Sequence, residues 1–73
     1  MQVKVMDRLY RMSRKEYEKL LIIAKEQVTY GIYAVEKAEY AELHNIQCKS
    51  TSELKKITRG FRMRGFKVLA NKE

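Results

Sequence analysis

One short pattern occurs twice in this chain: a serine, a glutamate three residues on, an apolar stripe at helical spacing, and then a glycine. The first copy begins at Ser13 and Glu16, the second at Ser50 and Glu53. In such a capping box the serine hydroxyl takes the glutamate N–H, and the carboxylate reaches back to the serine N–H. Each box therefore predicts a helix start. Tyr17, Leu20, Leu21, Ala24 and Val28 recur along one face of a 3.6-residue period. Leu54, Ile57 and Phe61 do the same in the second copy. Gly31 and Gly65 then stand where left-handed C-terminal caps are expected. Two such helices within 73 residues leave room for one small core, so residues 1–73 read as a single domain.

The segments around the helices carry a different signal. Ile32-Tyr33-Ala34-Val35 follows Gly31, and Phe66-Lys67-Val68-Leu69-Ala70 follows Gly65. Both are rich in β-branched, aromatic and apolar residues and read as strands. Val3 to Met12 and Tyr40 to Cys48 are candidate strands before each helix, with a hairpin near Lys37-Ala38-Glu39. The order is then βαββαβ. It predicts an α+β, ferredoxin-like fold with two helices on one face of a four-stranded antiparallel sheet. Residues 36–46 also contain good helix formers and read equally as a short helix. The first strand alternates poorly, because Asp7 falls in phase with Val3, Val5 and Leu9.

Several classes are disfavoured. The single cysteine, Cys48, has no intrachain partner, which suits a reducing cytoplasm. The longest aliphatic run is five residues, Leu20 to Ala24, against the roughly 20 that a membrane span needs. No basic stretch followed by an apolar one opens the chain, so no signal peptide is expected. His44 and Cys48 lie four apart but are too few for a structural zinc site, which takes four ligands. No nucleophile–base constellation, phosphate-cradling glycine loop or carboxylate cluster is present. The expectation is a non-enzymatic protein with no cofactor, no metal and no small-molecule substrate.

The charge is unevenly placed. Residues 43–73 hold eight of the 16 cations but only two of the nine anions, leaving most of the +7 net charge there. With Leu54 at zero and about 100° per residue, Ile57 and Phe61 lie within about 60° of it. Lys55, Arg59 and Arg62 fall at about 80–140°, and Lys56 at about 200°. Arg64 and Lys67 extend the basic patch past the helix end. A ridge of Lys and Arg can neutralise several phosphates by releasing counterions. The first helix instead mixes signs at Lys15, Glu18, Lys19, Lys25 and Glu26.

Other residues suggest self-association. Ile22 lies about 140° from Tyr17, away from the buried stripe. Tyr33 and Tyr40 fall on candidate central strands, where they would stack on bases, cover the core or line a dimer interface. A homodimer is expected, since a small core gains from oligomerisation. Arg-Gly-Phe occurs at Arg59-Gly60-Phe61 and again at Arg64-Gly65-Phe66. The second copy imitates the opening of an RNA-recognition-motif strand, but Lys67 and Val68 depart from that pattern. Gly60 either permits close approach of another backbone or ends the helix early.

Tyr30-Gly31-Ile32-Tyr33-Ala34-Val35-Glu36-Lys37 and Gly65-Phe66-Lys67-Val68-Leu69-Ala70-Asn71 give the chain a particular style, short, proline-free and rich in Lys, Glu, Tyr and Ile. In this it resembles small proteins of phages and prophages of Gram-positive bacteria. The resemblance implies an accessory protein directed at the host or at nucleic acid, and no site residues. The expected function is nucleic-acid or other polyanion binding through Lys55, Lys56, Arg59, Arg62, Arg64 and Lys67, with weak sequence specificity. The alternative is a protein-interaction module, an inhibitor or adaptor docking on an acidic partner.

Overall fold

A computed structural model describes residues 1–72. Both predicted helices start where their serines place them. Helix α1 covers Arg14–Gln27 and helix α2 covers Thr51–Met63. At α1, Ser13 Oγ accepts the Glu16 N–H at 3.1 Å, and Ser13 N–H donates to Glu16 Oε1 at 2.9 Å. Those hydrogen bonds from Ser13 hold the Glu16 carboxyl below its ordinary pKa. At α2, Ser50 Oγ takes the Glu53 N–H at 3.1 Å, but the Glu53 carboxylate accepts from Lys49 N–H at 3.2 Å instead of closing on Ser50.

The two helix ends differ. Helix α2 ends as its sequence predicts. Gly65 takes a φ of 91°. Its N–H donates to the Arg62 carbonyl at 2.9 Å, and Phe66 N–H donates to the Phe61 carbonyl at 3.1 Å. These two bonds form a Schellman ending, and the edge-on Phe61–Phe66 ring pair at 6.2 Å is its apolar contact. Helix α1 stops at Gln27 with Val28 as an extended cap, and Gly31 lies inside a strand instead of capping the helix. A Cβ at Gly31 would collide with the Ile46 carbonyl oxygen. Gly31 thus serves the close pairing of two strands.

The sheet contradicts the ferredoxin-like expectation. It has five strands: β1 (Gln2–Val5), β2 (Arg8–Arg11), β3 (Tyr30–Lys37), β4 (Tyr40–Gln47) and β5 (Lys67–Lys72). Their order is β2-β1-β4-β3-β5. The β1–β4 pair is parallel and the others are antiparallel. The segment read as one strand, Val3 to Met12, turns back on itself at Met6 and Asp7. Strand β2 then occupies the free edge of β1, where the last strand of a ferredoxin-like sheet would pair. Strand β5 joins β3 at the opposite edge. Residues 36–46 hold the end of β3, the Ala38-Glu39 turn and most of β4, with no helix.

The helices also lie on opposite faces of the sheet, not on one. Register places Val3 beside Ala41 and Val5 beside Leu43. These residues pack with Tyr17 and Leu21 of α1. Val35 pairs with Val68, and Ile32 with Ala70 and Ile46, on the other face. That set packs with Leu54, Ile57 and Phe61 of α2. Connection handedness explains the arrangement. Helix α1 links β2 to β3 and α2 links β4 to β5, both moving the same way across the sheet. The two starting strands run in opposite directions. A right-handed crossover is favoured in each case, so the helices fall on opposite sides.

Tyr17 is fully buried, and its hydroxyl donates to Glu36 Oε2 at 2.6 Å. Burial, followed by the Glu36 hydrogen bond, pushes that phenol well above its ordinary pKa. At the far side Asn71 Nδ2 donates to the Lys25 and Val28 carbonyls at 2.8 and 2.7 Å, tying β5 to the end of α1. Both two-residue turns are made without glycine: Met6 has φ 58° and Ala38 has φ 53°. A side chain in that left-handed region costs about 1–2 kcal/mol, more than the roughly 0.4–1 kcal/mol of unfolded-chain entropy that a glycine adds. Ala38→Gly is therefore expected to raise the unfolding free energy by about 0.5–1 kcal/mol in urea titration. An unchanged or lower midpoint would contradict the strain argument.

Candidate nucleic-acid interface

Among the described residues α2 is the only helix on its face of the sheet, so its outward half is solvated. Lys55, Lys56, Arg59, Arg62 and Arg64 are all exposed. None of them takes part in an ion pair among the described residues, where the pairs are Arg14–Glu39 at 3.8 Å and His44–Glu42 at 3.0 Å. The helical period places Arg59 near the outward pole at about 140°. Lys55 and Arg62, at about 80–100°, lie on the flank toward β5. Lys56, at about 200°, and Arg64, at about 280°, lie on the other flank, with Gly60 between them at about 240°.

The flank toward β5 forms an open groove lined by Leu54, Lys55, Thr58, Arg59, Arg62 and Lys72. Lys72 shares the face of Val68 and Ala70 because strand residues alternate. Strand parity was the signal that could have assigned it to this group. The Thr58 hydroxyl is buried at the groove floor without a hydrogen-bond partner among the described residues.

On the other flank, the Arg64 guanidinium lies over Phe61 at 4.9 Å and Phe66 at 5.9 Å. Lys37 Nζ donates to the Arg64 carbonyl at 3.1 Å and sits 5.6 Å from the Phe66 ring centre. Lys37 thus joins this end of the basic surface, although only the fold brings it there. Lys67 does not join it. It pairs in register with Glu36, on the α1 side of the sheet, so the structure separates it from the cations of α2.

The residues expected to support self-association are dispersed. Ile22 is 64% exposed on the outside of α1. Tyr33 is half-buried, near enough to the Tyr17 phenol to raise its pKa. Tyr40 lies on the opposite face, its ring 6.4 Å from that of Phe66. The three residues make no common patch.

Gly60 lies inside α2, which continues to Met63. The helix does not end early. A Cβ built at Gly60 meets nothing within 4 Å among the described residues, so neither a turn nor internal packing there requires glycine.

Beside α2, β4 carries a hydrogen-bonded row. Tyr40 hydroxyl donates to Glu42 Oε2 at 2.7 Å, and His44 Nε2 lies 3.0 Å from Glu42 Oε1. The Glu42 bond pushes the Tyr40 phenol up to about 12. Partial burial raises the Glu42 pKa, but the bonds from Tyr40 and His44, with the charges of His44 and Lys4, outweigh it and hold the carboxyl below its ordinary value. Cys48 is a free, buried thiol whose pKa is raised by burial and by Glu53. No group of three His, Cys, Asp or Glu residues placed to hold a metal occurs among the described residues. No described helix is long and apolar enough to cross a membrane.

Comparison with protein-family models, with curated proteins and with solved structures returned no match.

The lowered Glu42 pKa makes a pH prediction. A carboxyl depressed on folding contributes stability that is present above its unfolded pKa, near 4.5, and is lost as pH falls through the folded value. Glu42→Gln is expected to flatten the decline in urea midpoint below about pH 4.5. An acid decline as steep as that of the parent chain would assign it to other carboxylates.

Proposed function

We propose that this chain is a non-enzymatic nucleic-acid-binding protein whose interface is the exposed surface of α2. The observation that carries this reading is that Lys55, Lys56, Arg59, Arg62 and Arg64 are all exposed along one helix and its C-terminal cap, with no carboxylate paired to any of them among the described residues. Unpaired cations spaced along a helix can each displace counterions from a phosphate backbone. Lys72 extends the same surface beyond the helix. Phosphate contacts of this kind give register and affinity without base discrimination, so weak sequence preference follows. The lone buried thiol supports a cytoplasmic setting.

A second reading has support from Met63, which is 81% exposed amid these cations. A charged rim around an apolar side chain also suits an acidic protein partner. Ile22 and Ile23, exposed side by side on α1, support a homodimer through that helix, which leaves α2 free.

Affinity for mixed-sequence DNA across a salt series tests the main reading. Lys55→Ala/Arg59→Ala/Arg62→Ala is expected to reduce the slope of log K against log salt by about 2–3 units. Absence of binding to duplex or single strand at low salt would exclude the nucleic-acid reading. It would leave the acidic-protein reading, in which pull-down returns one nuclease-resistant partner.

A further inference from the structure

We propose that α2 enters the major groove of duplex DNA, with Gly60 as the point of closest approach. The inference rests on the nucleic-acid reading of α2 and goes beyond it to the form of the ligand. Three observations carry it.

The first is the distribution of the cations. A single strand lying on a helix presents one row of phosphates, which one stripe of cations would match. Here cations occupy both flanks: Lys55 and Arg62 on one, Lys56 and Arg64 on the other, separated by about 100–180° around the helix axis. Two flanks of positive charge complement two walls of phosphate. A groove of B-form DNA supplies both walls.

The second is shape. Helix α2 has 13 residues, about 20 Å of length, and no second helix beside it among the described residues. A helix with its side chains is about 10–12 Å across, and the B-DNA major groove is about 12 Å wide. The major groove of A-form RNA is too deep and narrow to admit it. Arg59, at the outward pole, then stands toward the base edges.

The third is Gly60. Glycine is the least favourable helix-interior residue after proline, and nothing among the described residues requires it, since a Cβ there meets none of their atoms within 4 Å. It sits between Lys56 and Arg64, one turn from each. Without a side chain, a sugar–phosphate wall can lie against the helix main chain while both cations reach its phosphates.

The test is fluorescence anisotropy with a labelled DNA duplex of about 20 base pairs, its single strand, and an RNA duplex of the same sequence at fixed low salt. The DNA duplex is expected to bind at least about tenfold more tightly than the other two. Gly60→Leu is expected to weaken duplex binding about tenfold and to lower the salt slope by about 1–2 units, because the displaced wall no longer meets Lys56 and Arg64. Gly60→Ala is expected to raise Tm by about 3–6 °C and still weaken binding a few-fold. A residue that served only the helix would not show greater stability together with lower affinity. Equal affinity for single strand or RNA duplex would overturn the proposal. So would a folded Gly60→Leu variant that binds the DNA duplex within about twofold of the parent chain. Failure of the parent chain to bind any of the three would overturn the nucleic-acid reading itself, and this inference with it.

Discussion

The chain reverses direction in two residues, Met6 and Asp7, before the first helix begins, and the later placements depend on that reversal. Because β2 runs opposite to β1, the connection through α1 starts from a strand of the other direction. Right-handed connection then carries α1 to the face opposite α2. The same reversal fills the free edge of β1, so β5 pairs with β3. Each helix is left alone on its face, and α2 keeps both of its flanks. A basic helix wedged beside a second helix would expose only one.

What could be read in the sequence follows the range of the forces involved. The serine caps and the Gly65 ending are local hydrogen-bond patterns within six residues, and the chain spells them out. The Met6-Asp7 turn has no such spelling. A two-residue hairpin usually announces itself with Asn-Gly or Asp-Gly, whereas here Met6 adopts the left-handed conformation with a full side chain. The in-phase Asp7 was the only local trace of it. Which face each helix covers depends on strand direction over the whole sheet, and no window of residues contains that.

The candidate site divides in the same way. Helical period alone groups Lys55, Lys56, Arg59 and Arg62, because they share one element. It fails at the helix end, where the period changes to two. Lys67 then belongs to the α1 side through its pairing with Glu36. Lys72 and Lys37 approach α2 only through tertiary structure. Gly31 and Gly65 likewise carry the same letter for different reasons, one cleared for the Ile46 carbonyl and the other capping a helix.

The two edge strands bear on how copies of this chain meet. Strand β2 begins and ends with Arg8 and Arg11, and β5 with Lys67 and Lys72. Either edge offers unpaired backbone groups to another strand. Arg8 and Arg11 point to opposite faces of the sheet, as do Lys67 and Lys72, so a strand added at either edge meets a cation on each face. The basic residues that frame the sheet thus act as end-stops against fibre-like growth, and they direct any self-association to the helical faces.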